Sequence, residues 1–179
     1  MEDKRWSIVS SEYKIRNKWL TVRKDHIRQP SGVEIEDYWV LEYPEWINVI
    51  AITEDGKFVI ERQYRHAIGL TDYEIPAGCC EQGEEPLTAA KRELHEETGY
   101  AGGTWTEFMT ISPNGTSMTN MTHCYIATGV LKDGDAHQEE TEDIDVSLMT
   151  KEEVRTLLEG GHFWQATMAA PLWKFFCKN

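Results

Sequence analysis

Through the first part of the chain, apolar positions tend to alternate with polar ones in short runs broken by turn-forming residues. KWLTVRKDHIR and VEIEDYWVLEY carry partial alternation on either side of QPSG, which predicts a β-hairpin or small sheet over roughly residues 1–44. EWINVIAIT and KFVIERQYR flank EDG, a second hairpin signal. DYEIPAG is a short extended piece closed by Pro-Ala-Gly. The period then changes. In EEPLTAAKRELHEETG, Pro86 suits a first helical turn, Leu87, Ala90 and Leu94 form an apolar stripe, and Gly99 is a stop signal. Strand-like pieces return at TWTEFMTIS, THCYIATGV and DIDVSLM, and Thr150 and Glu153 have the spacing of a capping box before VRTLLEGG. A closing helix is expected over FWQATMAAPLWKFF, kinked or divided at Pro171. Strands first, a helix in the middle and helices at the end predict a mixed α/β sandwich over residues 45–179, preceded by an antiparallel β segment over 1–44.

A chain of 179 residues with 40% hydrophobic positions supports one well-buried core. Its formal charge of −13 disfavours a nucleic-acid partner, because phosphate-backbone binding relies on Lys and Arg. No apolar run reaches the roughly 18–20 residues of a membrane span, and MEDKRWSIVS lacks the apolar stretch of a signal peptide. Neither a nucleic acid nor a membrane is therefore expected as partner. Cys79, Cys80, Cys124 and Cys177 form no CxxC pair, and two are adjacent, so a reducing cytoplasm is the expected setting. A phosphorylated small molecule remains compatible with the acidic charge if metal ions bridge the like charges.

One stretch runs against local helix energetics. In KRELHEETGY, Glu93, Glu96 and Glu97 fall at i, i+3 and i+4, stacking carboxylates on one helical face. They also sit near the helix end, where the dipole favours positive charge. Such a face is either solvated or a platform for a cation such as Mg²⁺ or Mn²⁺. In either case the Leu87, Ala90 and Leu94 stripe is expected to pack on the core and leave the Glu93, Glu96 and Glu97 face to look elsewhere.

The surrounding residues decide between these readings. GCCEQGEEPLTAAKRELHEETGY, residues 78–100, resembles the Nudix box G-x5-E-x7-R-E-U-x-E-E-x-G-U, where U is apolar or aromatic. Gly78, Glu84, Arg92, Glu93, Leu94, Glu96, Glu97, Gly99 and Tyr100 fill its fixed positions. The resemblance implies a Nudix hydrolase with an α/β/α sandwich over 45–179, cleaving a nucleoside diphosphate linked to another group. It implies Glu93, Glu96 and Glu97 as ligands of Mg²⁺ (Mn²⁺ being possible), with the carbonyl of Ala77 completing the metal shell. Glu96 and Arg92 are also expected in catalysis, Arg92 holding a carboxylate in place through charge-assisted hydrogen bonds. Gly78, Glu84 and Gly99 are expected to be structural, Glu84 as an outer partner. Bound metal would neutralise the diphosphate and lower the pKa of an attacking water.

The flanks look like the branch of ADP-ribose and nucleotide-sugar pyrophosphatases. IERQYRHAIG and YEIPAG resemble its arginine-bearing strand and its acidic segment before the box, which implies substrate contacts from Arg65, Arg62 and Glu74. SPNGTS resembles a loop of that branch, with Asn114 in place of glycine and the proline about two residues closer to the box. In HQEETEDIDV, Glu140 or Glu142 is implied as general base. Trp19, together with Tyr38 or Trp39, is implied in stacking the base. The N-terminal β segment is implied in base contacts and in a homodimer. The expected substrate is ADP-ribose or a similar nucleotide sugar, giving a nucleoside monophosphate and a sugar phosphate. GDP-mannose or another nucleotide sugar, read through Arg23 and Lys24, is the alternative within the same chemistry. A non-catalytic nucleotide sensor is the alternative outside it. Oxidised nucleoside triphosphates and capped RNA fit the acidic charge and the PAG flank less well.

Overall fold

The computed structural model describes residues 4–17, 20–138 and 141–178. They form two compact units, Met1–Pro44 with Ser112–Asn120, and Glu45–Ile111 with Met121–Asn179.

In the first unit, β1 (Ser7–Arg16), β2 (Thr21–Arg28) and β3 (Glu34–Glu42) form an antiparallel sheet in the order β1-β2-β3. β2 and β3 are the hairpin read from the sequence. β1 carries no clean alternation because all its residues are exposed, so no buried face imposes one. Asp25, 2% exposed, is held by Arg23 at 2.8 Å and Ser11 at 2.7 Å. The 112–120 segment joins this unit through Leu41, whose N–H donates to the Ser117 carbonyl at 2.7 Å. The Leu41 carbonyl accepts from the Thr119 N–H at 3.1 Å.

The second unit contains, among the described residues, a seven-stranded mixed sheet. Its strands are β4 (Trp46–Thr53), β5 (Phe58–Arg65), β6 (Leu70–Glu74), β7 (Ala77–Cys79), β8 (Tyr100–Ile111), β9 (Thr122–Lys132) and β10 (Ile144–Met149). The order is β10-β5-β4-β9-β8, with β6 on β5 and β7 on β4. β4 and β9 pair in parallel, and WINVIAIT is largely apolar because both faces of β4 are covered. On one face, Ile47, Val49, Ala51 and Val59 pack with Ala89, Ala90 and Leu94 of α1 (Pro86–Thr98). On the other, Ile50, Phe58 and Ile60 pack with α2 (Lys151–Glu159) and α3 (Ala166–Lys178). The unit is an α/β/α sandwich.

Helix boundaries follow the sequence signals closely. Pro86 opens α1, Gly99 closes it in the left-handed region at φ 68°, and Thr150 and Glu153 form the reciprocal capping box of α2. Two expectations change. Leu87, in the first turn of α1, is 38% exposed, and Ala89 takes its place in the core. The carboxylates are also not on a face of their own: Glu97 continues the buried Ala90–Leu94 stripe at i+7.

Pro171 does not divide α3, which is one run from Ala166 to Lys178. Lacking an N–H, it leaves the carbonyl of Thr167 without its helical donor. The buried side chain of Asn48 on β4 supplies one, its Nδ2 donating to the Thr167 carbonyl at 2.6 Å. Replacing Asn48 by Ala leaves that carbonyl unsatisfied, at a cost of about 1–3 kcal/mol. Pro171→Ala in the same background returns a backbone donor and recovers part of the loss. Urea denaturation of the four proteins in a double-mutant cycle checks this coupling, and simple additivity of the two substitutions would contradict it.

Candidate active site

The site is built where β7 runs into α1. β7 pairs antiparallel with β4, Asn48 opposite Ala77 and Ile47 opposite Gly78. The N–H of Ala77 donates to Glu97 Oε2 at 3.0 Å, tying the end of α1 to this strand. Gly78 lies against Glu93, and a Cβ there would overlap the Glu93 carboxyl group. Glycine is thus what lets that carboxylate lie against the β7 backbone.

Arg92 organises the opposite flank. Its Nε and Nη2 hold Glu84 through both carboxylate oxygens, at 3.1 and 2.9 Å. Nη2 also donates to the Cys79 carbonyl at 3.1 Å, while Nη1 reaches Glu96 at 3.0 Å and Glu93 at 2.9 Å. Glu84 is held below the usual carboxylate range by Arg92, and the Arg92 guanidinium is raised, mainly through its hydrogen bond with Glu84.

The dipole mismatch at the end of α1 is met directly. Its last carbonyls accept from Lys132 Nζ at Thr98 (2.8 Å), from the His137 N–H at Glu96 (2.7 Å) and from Gln138 Nε2 at Glu97 (3.2 Å). A lysine at a helix C-terminus offsets negative charge there. The same bonds anchor the segment that leads toward Glu142. The charge of Glu142 adds, as the smallest of the contributions, to the upward push on Glu93 and Glu97. Glu140 lies outside the described residues.

β5 contributes the floor. Its alternation places Val59, Glu61, Gln63 and Arg65 on the α1 face, with Ile60 and Arg62 on the other. Arg62 is therefore not brought to the carboxylates. Arg65 makes two bonds to Glu74, Nε at 2.7 Å and Nη2 at 2.6 Å. Gln165, just ahead of α3, donates to Glu74 at 2.7 Å. Glu61 is 3% exposed, stands opposite Glu74 in the β5–β6 register and lies within hydrogen-bonding reach of Glu97. The sequence reading missed Glu61 and Gln165. An acidic residue following the apolar FVI run was the one available signal for Glu61.

In the first unit, Trp19 lies outside the described residues. Tyr38 donates its hydroxyl to the Thr116 carbonyl and meets Trp6 edge-on, their ring centroids 6.2 Å apart. Trp39, the next residue along β3, points to the opposite face and is 50% exposed. Arg23 pairs with Asp25 and Glu42, and Lys24 with Asp37.

Burial and like charge dominate the site's electrostatics. Burial, then Glu74, pushes the Glu61 carboxyl up to about 8. Burial, then Glu61 and Glu93, raises Glu97 well above the usual range, and burial raises Glu93. Among the described residues, no three acidic, His or Cys side chains already converge as a metal-binding group. A cation must compete with Arg92 for Glu93 and with the Ala77 N–H for Glu97. The donor set nevertheless suits a hard divalent ion: several carboxylate oxygens, one of them, Glu61 Oε1, buried without a hydrogen-bond partner. Glu93, Glu96, Glu97 and the Ala77 carbonyl are the groups that would hold it.

These raised values fix a sign. The stability linked to a protonated carboxyl is fully present below its unfolded value, near 4.5, and is lost as pH rises through the folded value, about 8 for Glu61. In EDTA, the melting temperature is expected to fall across that window, less steeply in Glu61→Gln, and saturating Mg²⁺ is expected to restore it at the alkaline end. Thermal unfolding against pH, with and without Mg²⁺, checks this; a flat profile in EDTA would contradict it.

Comparison with known proteins gives the family. The NUDIX domain model matches residues 43–171, and the nucleoside diphosphate sugar hydrolase N-terminal domain model matches residues 6–41. An ADP-ribose pyrophosphatase of Bacillus subtilis (strain 168) is 28% identical over 163 residues, 90% of this chain and 87% of its own. A methanol dehydrogenase activator of Bacillus methanolicus is 30% identical over 146 residues, 81% of this chain and 78% of its own. A crystal structure of an ADP compounds hydrolase superposes with a TM-score of 0.81 at 20% identity, covering 97% of this chain and 94% of that one, a likeness of fold. The carboxylate helix, the glycine beneath Glu93 and the sandwich that carries them lie within one family match spanning most of the molecule, and the chain belongs to the Nudix family of hydrolases.

Proposed function

We propose that this Nudix hydrolase cleaves the diphosphate of ADP-ribose or a similar nucleotide sugar, using Mg²⁺ or Mn²⁺. The observation that carries the chemistry is the Glu93–Glu97 pair of α1, Glu97 buried and Glu93 half-buried, closed in by Ala77, Gly78 and Glu61. Support for a nucleotide-sugar substrate comes from the N-terminal family match over residues 6–41 and from the name of the Bacillus subtilis relative. Bound metal supplies neutralisation of the diphosphate and a more acidic water. Arg65, oriented by Glu74, binds phosphate oxygens, and Gln165 keeps Glu74 in place. Arg92 holds Glu93 and Glu96 in position. Glu142 takes the proton from the attacking water, unless Glu140 does so. Water adds to one phosphorus, the bridging P–O bond breaks and the departing phosphate carries away its electron pair. With ADP-ribose the products are AMP and ribose 5-phosphate.

The proposal extends to the N-terminal unit. Tyr38 or Trp39, with Trp19, contacts the base. β1, exposed along its whole length and carrying Ile8, Val9, Tyr13 and Ile15 at its surface, supports a homodimer through this unit. The free thiols of all four cysteines suit a cytoplasmic setting. Among the described residues, no helix is long and apolar enough to cross a membrane.

The test is phosphate release from a coupled phosphatase, with ADP-ribose, ADP-glucose, GDP-mannose and UDP-glucose offered in Mg²⁺ or EDTA. ADP-ribose is expected to dominate and EDTA to abolish turnover. A dominant GDP-mannose signal would overturn the reading of the flanks and leave that of α1 intact. Glu97→Gln is expected to lose about 100-fold or more in kcat/KM, beyond the 10–100-fold typical of outer-shell partners such as Glu84. Glu74→Gln is expected to act mainly on KM, by about tenfold, because it releases a group that orients Arg65 for binding.

A further inference from the structure

β5 places a charge where its own pattern calls for an apolar side chain. Phe58, Val59 and Ile60 are buried, and Val59 packs against the Ala89, Ala90 and Leu94 surface of α1. Two residues on, Glu61 occupies the same face at 3% exposure. Its cross-strand partner is another acid, Glu74. Glu74 is matched by Arg65 and Gln165, but Glu61 Oε1 is buried with no hydrogen-bond partner. The groups acting on it are Glu74, Arg65, Glu97 and Glu142, three of them acids. Burying a carboxylate that makes no ion pair is costly, and crowding it with further acids adds to that. Nothing in the packing requires a carboxylate at this position, since Val59 shows that a branched apolar side chain suits the same face.

We propose that Glu61 is a metal ligand, supplied by the strand rather than the helix, and that it holds a divalent cation jointly with Glu97. This rests on the reading of α1 as a metal platform and deepens it. The helix offers Glu93, Glu96 and Glu97 from one side of the cluster, and Glu61 offers an oxygen from the sheet. A cation there satisfies the unpartnered oxygen and removes the repulsion between Glu61 and Glu97. Two carboxylate sources on different elements allow more than one ion to be held, which suits a diphosphate whose charge must be offset on both phosphates.

The alternative role for Glu61 is a protonated side chain donating to Glu97, with no metal bound to it. Glutamine distinguishes the two, because its amide preserves such a donor and is a poor ligand for a hard cation. Mn²⁺ binding to the full chain is measured by electron paramagnetic resonance of free Mn²⁺ and by titration calorimetry, without substrate. The number of Mn²⁺ ions held per chain is expected to fall by one in Glu61→Gln and in Glu61→Val. Glu61→Val is also expected to melt at a higher temperature than the parent in EDTA, and it serves in place of Glu61→Gln if that variant does not fold. Parental stoichiometry and affinity in either folded variant would overturn the assignment of Glu61 and leave the helix platform standing. No Mn²⁺ binding by the parent would overturn both.

Discussion

The structure depends on the mutual repulsion of carboxylates packed between a helix and a sheet. Glu61, Glu93 and Glu97 are largely removed from water, and Glu142 adds its field from the loop before β10. In a low-dielectric interior such a group is far more costly than on a surface. The rest of the second unit holds it together. Ala89, Ala90 and Leu94 fix α1 on the sheet, Gly78 admits the Glu93 carboxylate, and the Ala77 N–H fixes Glu97. Lys132 and Gln138 quench the helix end, and Arg92 gathers Glu84, Glu93 and Glu96.

Fixed positive charge is rationed around this cluster. Arg92 sits at its outer flank and Arg65 beyond Glu74, each already matched to acids. Neither neutralises Glu61 and Glu97 by direct hydrogen bonding. On the proposed reading, a bound cation would relieve that like-charge crowding, and a locally unfavourable helix would become a functional one.

Much of this was legible in the sequence. Pro86, Gly99 and the Thr150–Glu153 pair marked helix ends correctly because capping is local chemistry. The sandwich followed from the change of period. The box residues could be read together because their spacing is set by one loop and one helix. What escaped was set by contacts distant in sequence. Glu61 reads as one acid in a strand until α1 is laid over it, and Gln165 carries no local signal at all. Asn48 makes Pro171 tolerable from 119 residues away. Leu87 was misplaced because periodicity gives a face without saying where along the helix the core ends. The 112–120 segment joins the first unit through Leu41, a pairing that no local pattern announces.

The central claim is that the buried carboxylate face is a metal platform. Its most direct test is diffraction from crystals soaked in Mn²⁺, recorded for anomalous scattering. The account predicts difference peaks within ligand distance of Glu97 Oε atoms, one of them shared with Glu61. Well-ordered crystals showing those side chains without any peak beside them, or with peaks only at surface acids, would contradict it.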